Sequence, residues 1–208
     1  MNVRKVNWPG FPFAASLMVL LYLSFAYKAP WWQLRIADGI GYVAVSPLDV
    51  DIMLMGVTIN VPIIWYLTLG SKLTLLLVAA ILSFYLTNPR GTHSKKLLDA
   101  IYKKPVYMVV GMVLISTISK LIYDSFLPFK IPIVGTSTTV VSSQGVTLSV
   151  PITTTFTWVF WLAILSACLA LATRVYHGKT FPARQGDAII PHEQIEIEPV
   201  MTGIKEVI

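Results

Sequence analysis

Long apolar runs constrain the fold of this chain more than any other feature. There are five, and each is close to the roughly 20 residues that a helix needs to cross about 30 Å of hydrocarbon. They cover residues 12–29, 47–69, 72–88, 105–127 and 154–176. Only 12% of the 208 residues are charged, whereas a soluble domain carries about 25%. The sequence therefore predicts an all-α integral membrane protein with about five transmembrane helices.

Local signals at the ends of these runs predict where each helix begins and stops. Ser46, followed by Pro47 and Asp49, is typical of a helix N-terminus and predicts that the second helix opens there. Gly70 and Ser71 predict a tight turn that ends the second helix and caps the third. Arg4 and Lys5 precede the first run as in a signal peptide, but no small-residue cleavage site follows, which favours a retained first span.

The distribution of Lys and Arg predicts the orientation in the membrane. Segment 89–104 contains five basic residues, whereas 131–173 contains none. Because basic loops stay in the cytoplasm, the domain 1–179 is predicted to be a multi-pass unit of the cell membrane, with a cytoplasmic C-terminal tail at 180–208. Five spans then place the N-terminus outside, despite Arg4 and Lys5. A first helix that re-enters, or a dip of residues 36–45 into the bilayer, would move it inside.

A ribbon at 131–152 interrupts the helical pattern and contains no ionisable side chain. It is rich in Val, Ser and Thr and turns at Gln144 and Gly145, which predicts an extracytoplasmic β-hairpin. A lone hairpin is marginal in water, so something else should cover it. The first interpretation is a docking element for a partner at Gln144 and Gly145. Packing against the chain's own outer loops and a flexible loop are the alternatives.

Two further segments suggest contacts outside the chain. Small residues recur on one face of the fifth helix and favour close helix packing, either between subunits or within this chain; they are Ala163, Ser166, Ala167 and Ala170. Residues 94–104 predict a short basic amphipathic helix that lies on anionic headgroups or a partner, or else a solvated connector. The polar tail at 180–208 is predicted to be extended until a neighbouring protein orders it.

Several kinds of chemistry are disfavoured by the residues present. His93, His177 and His192 are predicted to lie in loops or the tail, which argues against haem, copper or zinc, and the lone Cys168 cannot form an internal disulfide. Basic residues occur in short loops that set topology, which argues against nucleic-acid binding. We therefore expect no catalytic residues, no metal and no cofactor, and we expect other membrane subunits and the lipid bilayer as partners.

Polar residues within the predicted spans are the remaining candidates for a site. Lys120 and Asp124 are spaced i and i+4, so they either serve transport or form an ion pair at the membrane surface. The other candidates belong to the second predicted helix, in which a proline would interrupt the middle and free carbonyl groups for a substrate; they are Asp49, Asp51, Asn60 and Pro62.

The sequence leaves three hypotheses for function. The first is a non-catalytic integral subunit of a larger membrane complex that contributes docking surfaces. Respiratory-chain complexes, which carry out electron transport, are one candidate assembly because small membrane subunits are common in them. No residue of the sequence specifies this assignment. The alternatives are a small ion or solute transporter or channel component, and a quinone-reactive membrane subunit or embedded enzyme.

Overall fold

The computed structural model describes residues 7–89, 91, 93–126, 130–143 and 146–180. The helices are α1 (Gly10–Ala26), α2 (Pro62–Thr87), α3 (Ser94–Ile101), α4 (Lys103–Phe126) and α5 (Trp158–Thr180). The strands are β1 (Trp32–Ile36), β2 (Gly41–Val45), β3 (Val50–Leu54), β4 (Val57–Thr58), β5 (Gly135–Ser143) and β6 (Val146–Phe156).

The six strands form one antiparallel sheet, so the prediction of an all-α fold is wrong. The strand order is β4-β3-β2-β1-β6-β5. Strand β1 is central, with Trp32 opposite both Val45 of β2 and Phe156 of β6. The predicted hairpin is therefore the outer pair of a larger sheet, and its inner strand pairs with residues just after α1. Of the three interpretations of the ribbon, packing against the chain's own outer segments accounts for this part of it.

Side-chain alternation explains why residues 32–45 form strands. One face of β1 and β2 carries apolar side chains at every second position, and the opposite face carries polar or small ones. The apolar set is Trp32, Leu34, Ile36, Val43 and Val45. A short 3-10 turn at Ala37–Gly39 links the two strands. Residues 36–45 therefore form strand and turn, and the idea that they dip into the bilayer stays a prediction.

The segment predicted to open the second helix is instead the turn between β2 and β3. The Ser46 hydroxyl oxygen accepts hydrogen bonds from the backbone N–H groups of Leu48 (3.2 Å) and Asp49 (2.8 Å). The Ser46 N–H in turn donates to the Asp49 carbonyl at 2.8 Å. A serine hydroxyl that accepts from N–H groups two and three residues ahead closes turns as well as helix starts. The sequence signal was real, but it was assigned to the wrong element.

Helix α2 runs unbroken from Pro62 to Thr87 and replaces the predicted pair of helices at 47–69 and 72–88. Gly70 and Ser71 lie inside it and form no turn. Among the described residues, three helical segments are long and apolar enough to cross a membrane: Pro62–Thr87 (α2), Ser94–Ile122 (α3 with most of α4) and Trp158–Thr180 (α5). Helix α1 is a shorter apolar helix. The count of about five spans is thus too high, because half of the second run forms strands.

Replacement of Gly70 by alanine tests this correction. A β-carbon at Gly70 meets no atom within 4 Å, and glycine inside a helix is less stable than alanine by about 0.5–1 kcal/mol. Gly70→Ala is therefore expected to raise the free energy of unfolding by about that amount, measured by circular dichroism in detergent. Gly56→Ala is the control. Gly56 has a φ of +79°, so alanine at this position should lower the stability of the protein. If Gly70→Ala also destabilised, a turn at this position would be favoured instead.

All strands lie at one end of the helices, because they occur only between α1 and α2 and between α4 and α5. We call this the sheet end, and the opposite end, which carries α3, the basal end. A β-carbon built on Gly10 lies 2.7 Å from Leu86 Cδ2 and 3.7 Å from Thr173 Cγ2. The start of α1 is thus at the basal end with the end of α5. The five-span arrangement had separated these two ends, and the loss of one span brings them together beside the lysines of α3.

The core of the helical part is formed by α1, α2 and α5. Phe13 and Leu17 of α1 and Leu82 of α2 are fully buried, at 0% exposure. The small residues of α5 are also buried within the chain, and α1 and α4 pack against this helix. They therefore let the chain's own helices approach, which is one of the two alternatives raised by the sequence; these residues are Ala163, Ser166, Ala167 and Ala170.

Candidate functional site

Strands β5 and β6 extend beyond the rest of the sheet. Pairing between β1 and β6 stops at Ile36 and Ile152. The next residue of β6 in the direction away from β1 is Pro151, which has no N–H group to donate. Pairing between β5 and β6 continues to Ser143 and Val146. Residues 138–143 and 146–151 thus form a two-stranded projection, which we call the arm. At about 3.3 Å per residue, it reaches about 20 Å past β1.

The arm carries no charge, and its edges are open within the described residues. Strand β5 is the last strand of the sheet and pairs only with β6. Val140 is 63% exposed. Gln144 and Gly145, the residues predicted to dock a partner, lie outside the described residues. Unpaired N–H and C=O groups along an uncharged edge are a template for another strand.

The opposite edge of the sheet is built differently. Strand β4 has only two residues and follows a tight turn at Met55 and Gly56, both with positive φ. A very short edge strand offers few backbone groups to a passing chain. The long edge at β5 is thus the one that is suited to strand addition.

A second feature is a cavity of about 350 Å³ where the sheet meets the start of α2. The structure brings four of the transport candidates to its walls, although they were selected as parts of one helix; they are Asp49, Asp51, Asn60 and Pro62. Lys28 also lines the cavity. Pro62 is the first residue of α2, where proline fits without breaking a hydrogen bond. The predicted interruption in the middle of a membrane helix is therefore wrong.

One of the two carboxylates that line this cavity forms an ion pair. Lys72 of α2 reaches the Asp49 carboxylate at 3.0 Å, and both side chains are below 20% exposure. The Lys72 ammonium group also lies 5.6 Å from the centre of the Phe25 ring. This pair ties the turn between β2 and β3 to α2 and leaves Asp51 as the more exposed carboxylate. The transport hypothesis stays a prediction. This cavity at the sheet end is the feature that brings four of its candidate residues together.

The remaining pair of transport candidates forms an ion pair. Lys120 Nζ lies 2.8 Å from Asp124 Oδ2 on α4, at the predicted i, i+4 spacing. The two side chains are 34% and 28% exposed. The geometry is that of the surface ion pair that the sequence offered as the alternative to transport.

A buried polar cluster at the basal end was not anticipated. The Asn7 amide donates to the Tyr85 hydroxyl at 2.5 Å and to the Thr173 carbonyl at 3.2 Å. The Tyr85 hydroxyl is 2.8 Å from His177 Nδ1. Asn7, Tyr85 and His177 are at most 3% exposed. The prediction that His177 lies in a loop or the tail is wrong, because α5 continues to Thr180.

Ionic and aromatic contacts join α3 to α5 beside this cluster. The Arg174 guanidinium forms a salt bridge with the Asp99 carboxylate and lies 5.9 Å from the centre of the Tyr102 ring. These contacts tie the amphipathic helix to the bundle, so it is not a free connector. Over residues 7–180, as far as they are described, no three His, Cys, Asp or Glu side chains are close enough to hold a metal ion.

Sequence offered weak signals for these groupings. Partners in the basal cluster are 78 to 166 positions apart, so no local spacing could reveal them. The only hint was the presence of Tyr85 and His177 at the ends of apolar runs. Comparisons with protein families, with curated proteins and with solved structures find no match for this chain, so its function must be argued from the geometry above.

Proposed function

We propose that this chain is an integral subunit of a larger membrane complex, and that the arm docks a strand of a neighbouring protein. The observation that carries the proposal is the uncharged, open edge of β5 on a projection that the rest of the sheet does not cover. Strand addition to such an edge gives affinity through backbone hydrogen bonds and specificity through alternate side chains.

The stability of an isolated hairpin supports this reading. Two strands without a third are marginal in water, and the arm has only its own two strands beyond Ile36. A partner strand would complete the hydrogen bonds of β5 and remove an edge that otherwise invites aggregation. Under this proposal the first interpretation of the ribbon applies to the arm, while the base of the arm belongs to the chain's own sheet.

The base of the arm is held firmly enough to serve as a docking platform. The Trp32 indole N–H donates to the Ile133 carbonyl at 2.8 Å, and the Thr154 hydroxyl donates to the Pro132 carbonyl at 2.8 Å. These bonds fix the chain that leads into β5 against β1 and β6. A rigid base lowers the entropy lost when a partner strand is captured.

The membrane orientation follows from charge. The basal end carries the lysines of α3 and receives the start of α1 and the end of α5. Basic segments favour the cytoplasmic side, so the proposal includes a cytoplasmic basal end and an arm on the outer side of the cell membrane. The respiratory assignment stays a prediction that rests only on how common such subunits are.

Charge placed on the arm tests the docking proposal. Val140→Lys puts an ammonium group on the open edge, where it should block strand addition. Purification in mild detergent, followed by native gels and mass spectrometry, is expected to show the native chain in a larger stoichiometric assembly. We expect Val140→Lys to reduce the amount of co-purifying partner by about tenfold, equivalent to about 1.4 kcal/mol.

Val57→Lys is the matched control, since Val57 lies on the short edge β4 and is 66% exposed, close to the 63% of Val140. It adds the same charge to the same sheet and should leave the assembly intact. A native chain that runs as a monodisperse monomer without companions would contradict the proposal. Equal loss of partner in both variants would show that charge on the sheet, and not the arm, matters.

A further inference from the structure

A groove of about 380 Å³ lies between the apolar face of the sheet and helix α4. Trp32, Leu34 and Val43 are among the residues of its sheet wall, and Met112 and Ile115 are among those of its helix wall. Residues 131–133 close a third side. The groove belongs neither to the arm nor to the cavity at the start of α2.

The helix wall of the groove is part of a membrane-crossing segment. Ser94–Ile122 is one of the helices that are long and apolar enough to span a bilayer. Ile115 and Ile118 are 63% and 54% exposed there. This apolar surface borders the groove.

One end of the groove is polar. Ser119 and Lys120 line it beside the isoleucine and methionine wall. The Lys120 ammonium group is bound to Asp124 Oδ2 at 2.8 Å, and its side chain is 34% exposed. One carboxylate occupies one of the three N–H donors of a lysine, so the remaining donors can reach an anionic oxygen. The groove thus has an apolar body and a rim at which the Lys120–Asp124 ion pair leaves ammonium donors free.

We propose that the groove binds one acyl chain of an anionic membrane phospholipid, with the headgroup phosphate at Lys120. Water does not fill apolar cavities stably, whereas an acyl chain matches the walls. A cavity of 300–1,000 Å³ takes a small ligand, and this groove, at about 380 Å³, lies at the lower end of that range. The phosphate at the rim accepts hydrogen bonds from the Lys120 N–H donors that Asp124 does not occupy.

Photolabelling in nanodiscs tests this inference. The full chain is reconstituted with phosphatidylglycerol that carries a diazirine on one acyl chain, and labelled peptides are identified by mass spectrometry. Labelling of residues 32–45 and 112–120 is expected to exceed that of the exposed face of α5 by at least about fivefold, which corresponds to about 1 kcal/mol. Val43→Trp, which fills the groove, should lower groove labelling to the level of α5. Val175→Trp, at a 57% exposed site on α5, should not.

Two further experiments distinguish the possible sources of the labelling signal. Diazirine phosphatidylcholine should label the groove several-fold less than phosphatidylglycerol, and Lys120→Ala should abolish that difference. A free diazirine fatty acid should not displace the phospholipid. Equal labelling of groove and α5, no effect of Val43→Trp in a protein with native circular dichroism, equal labelling by both lipids, or displacement by the fatty acid would each overturn the proposal.

Discussion

Trp31→Ala is expected to lower the free energy of unfolding by about 3–5 kcal/mol. Trp31 is 2% exposed and sits where the sheet meets the helices. Leu17, Leu75 and Ala163, from three different helices, surround the same small gap beside it, whose volume is only about 10 Å³. Truncation would leave a cavity that none of these helices could close without moving the others.

The backbone of Trp31 makes the same position the link between sheet and bundle. Its N–H donates to the Val45 carbonyl at 3.0 Å, and its carbonyl accepts from the Thr157 N–H at 2.9 Å. Its ring lies 6.2 Å from that of Phe160 on α5. Loss of the side chain therefore loosens the packing that keeps these backbone groups in register.

Thermal unfolding followed by circular dichroism in detergent measures this effect. Trp161→Ala removes an equally large side chain that is 61% exposed on α5, and it should cost less than about 1 kcal/mol. Trp31→Phe should fall between the two, because the indole N–H of Trp31 has no hydrogen-bond partner among the described residues. Similar losses for Trp31→Ala and Trp161→Ala would show that Trp31 does not join sheet and bundle.

Tyr85→Phe is expected to cost about 1–3 kcal/mol, although it removes a single oxygen atom. That oxygen accepts from the Asn7 amide and contacts His177 Nδ1. Without it, two buried polar groups lose a partner in a place that water does not reach readily. Three segments are joined by this oxygen: the approach to α1, the end of α2 and the end of α5.

Hydrogen exchange adds a local readout to the unfolding measurement. Tyr85→Phe should speed exchange in residues 7–12 and 173–180 more than in the sheet, because the cluster holds the basal ends together. Tyr107→Phe, at a 62% exposed site on α4, is the control and should change neither measurement. Unchanged exchange at the basal end, with unchanged stability, would mean that the cluster contributes no net stabilisation.

The apolar runs located the helices that are apolar enough to cross a membrane, but they could not separate strands from helices. The runs at 105–127 and 154–176 correspond to α4 and α5, and their boundaries shift by a few residues. The prediction of a helix for residues 47–61 failed because a short apolar run fits a buried strand as well as a helix. Ser46 strengthened the error, since the same hydroxyl bond closes both kinds of turn.

The candidate sites show the same division between local and distant information. The pairing of Lys120 with Asp124 could be read from spacing, because helix geometry alone brings these residues together. The pairing of Lys72 with Asp49 could not, since it depends on the strand turn packing against α2. The groove needed both the alternation of β1 and the path of α4, which only tertiary structure supplies.

The central place of β1 has a consequence for biogenesis. Its neighbour β2 is made immediately after it, but its other neighbour, β6, is synthesised more than 100 residues later. Until β6 is synthesised, one edge of β1 has no partner, and a strand from elsewhere that paired with this edge would misassemble the sheet. With α4 spanning the bilayer as proposed, β6 reaches β1 only after this helix has crossed, so closure of the sheet depends on the insertion of α4.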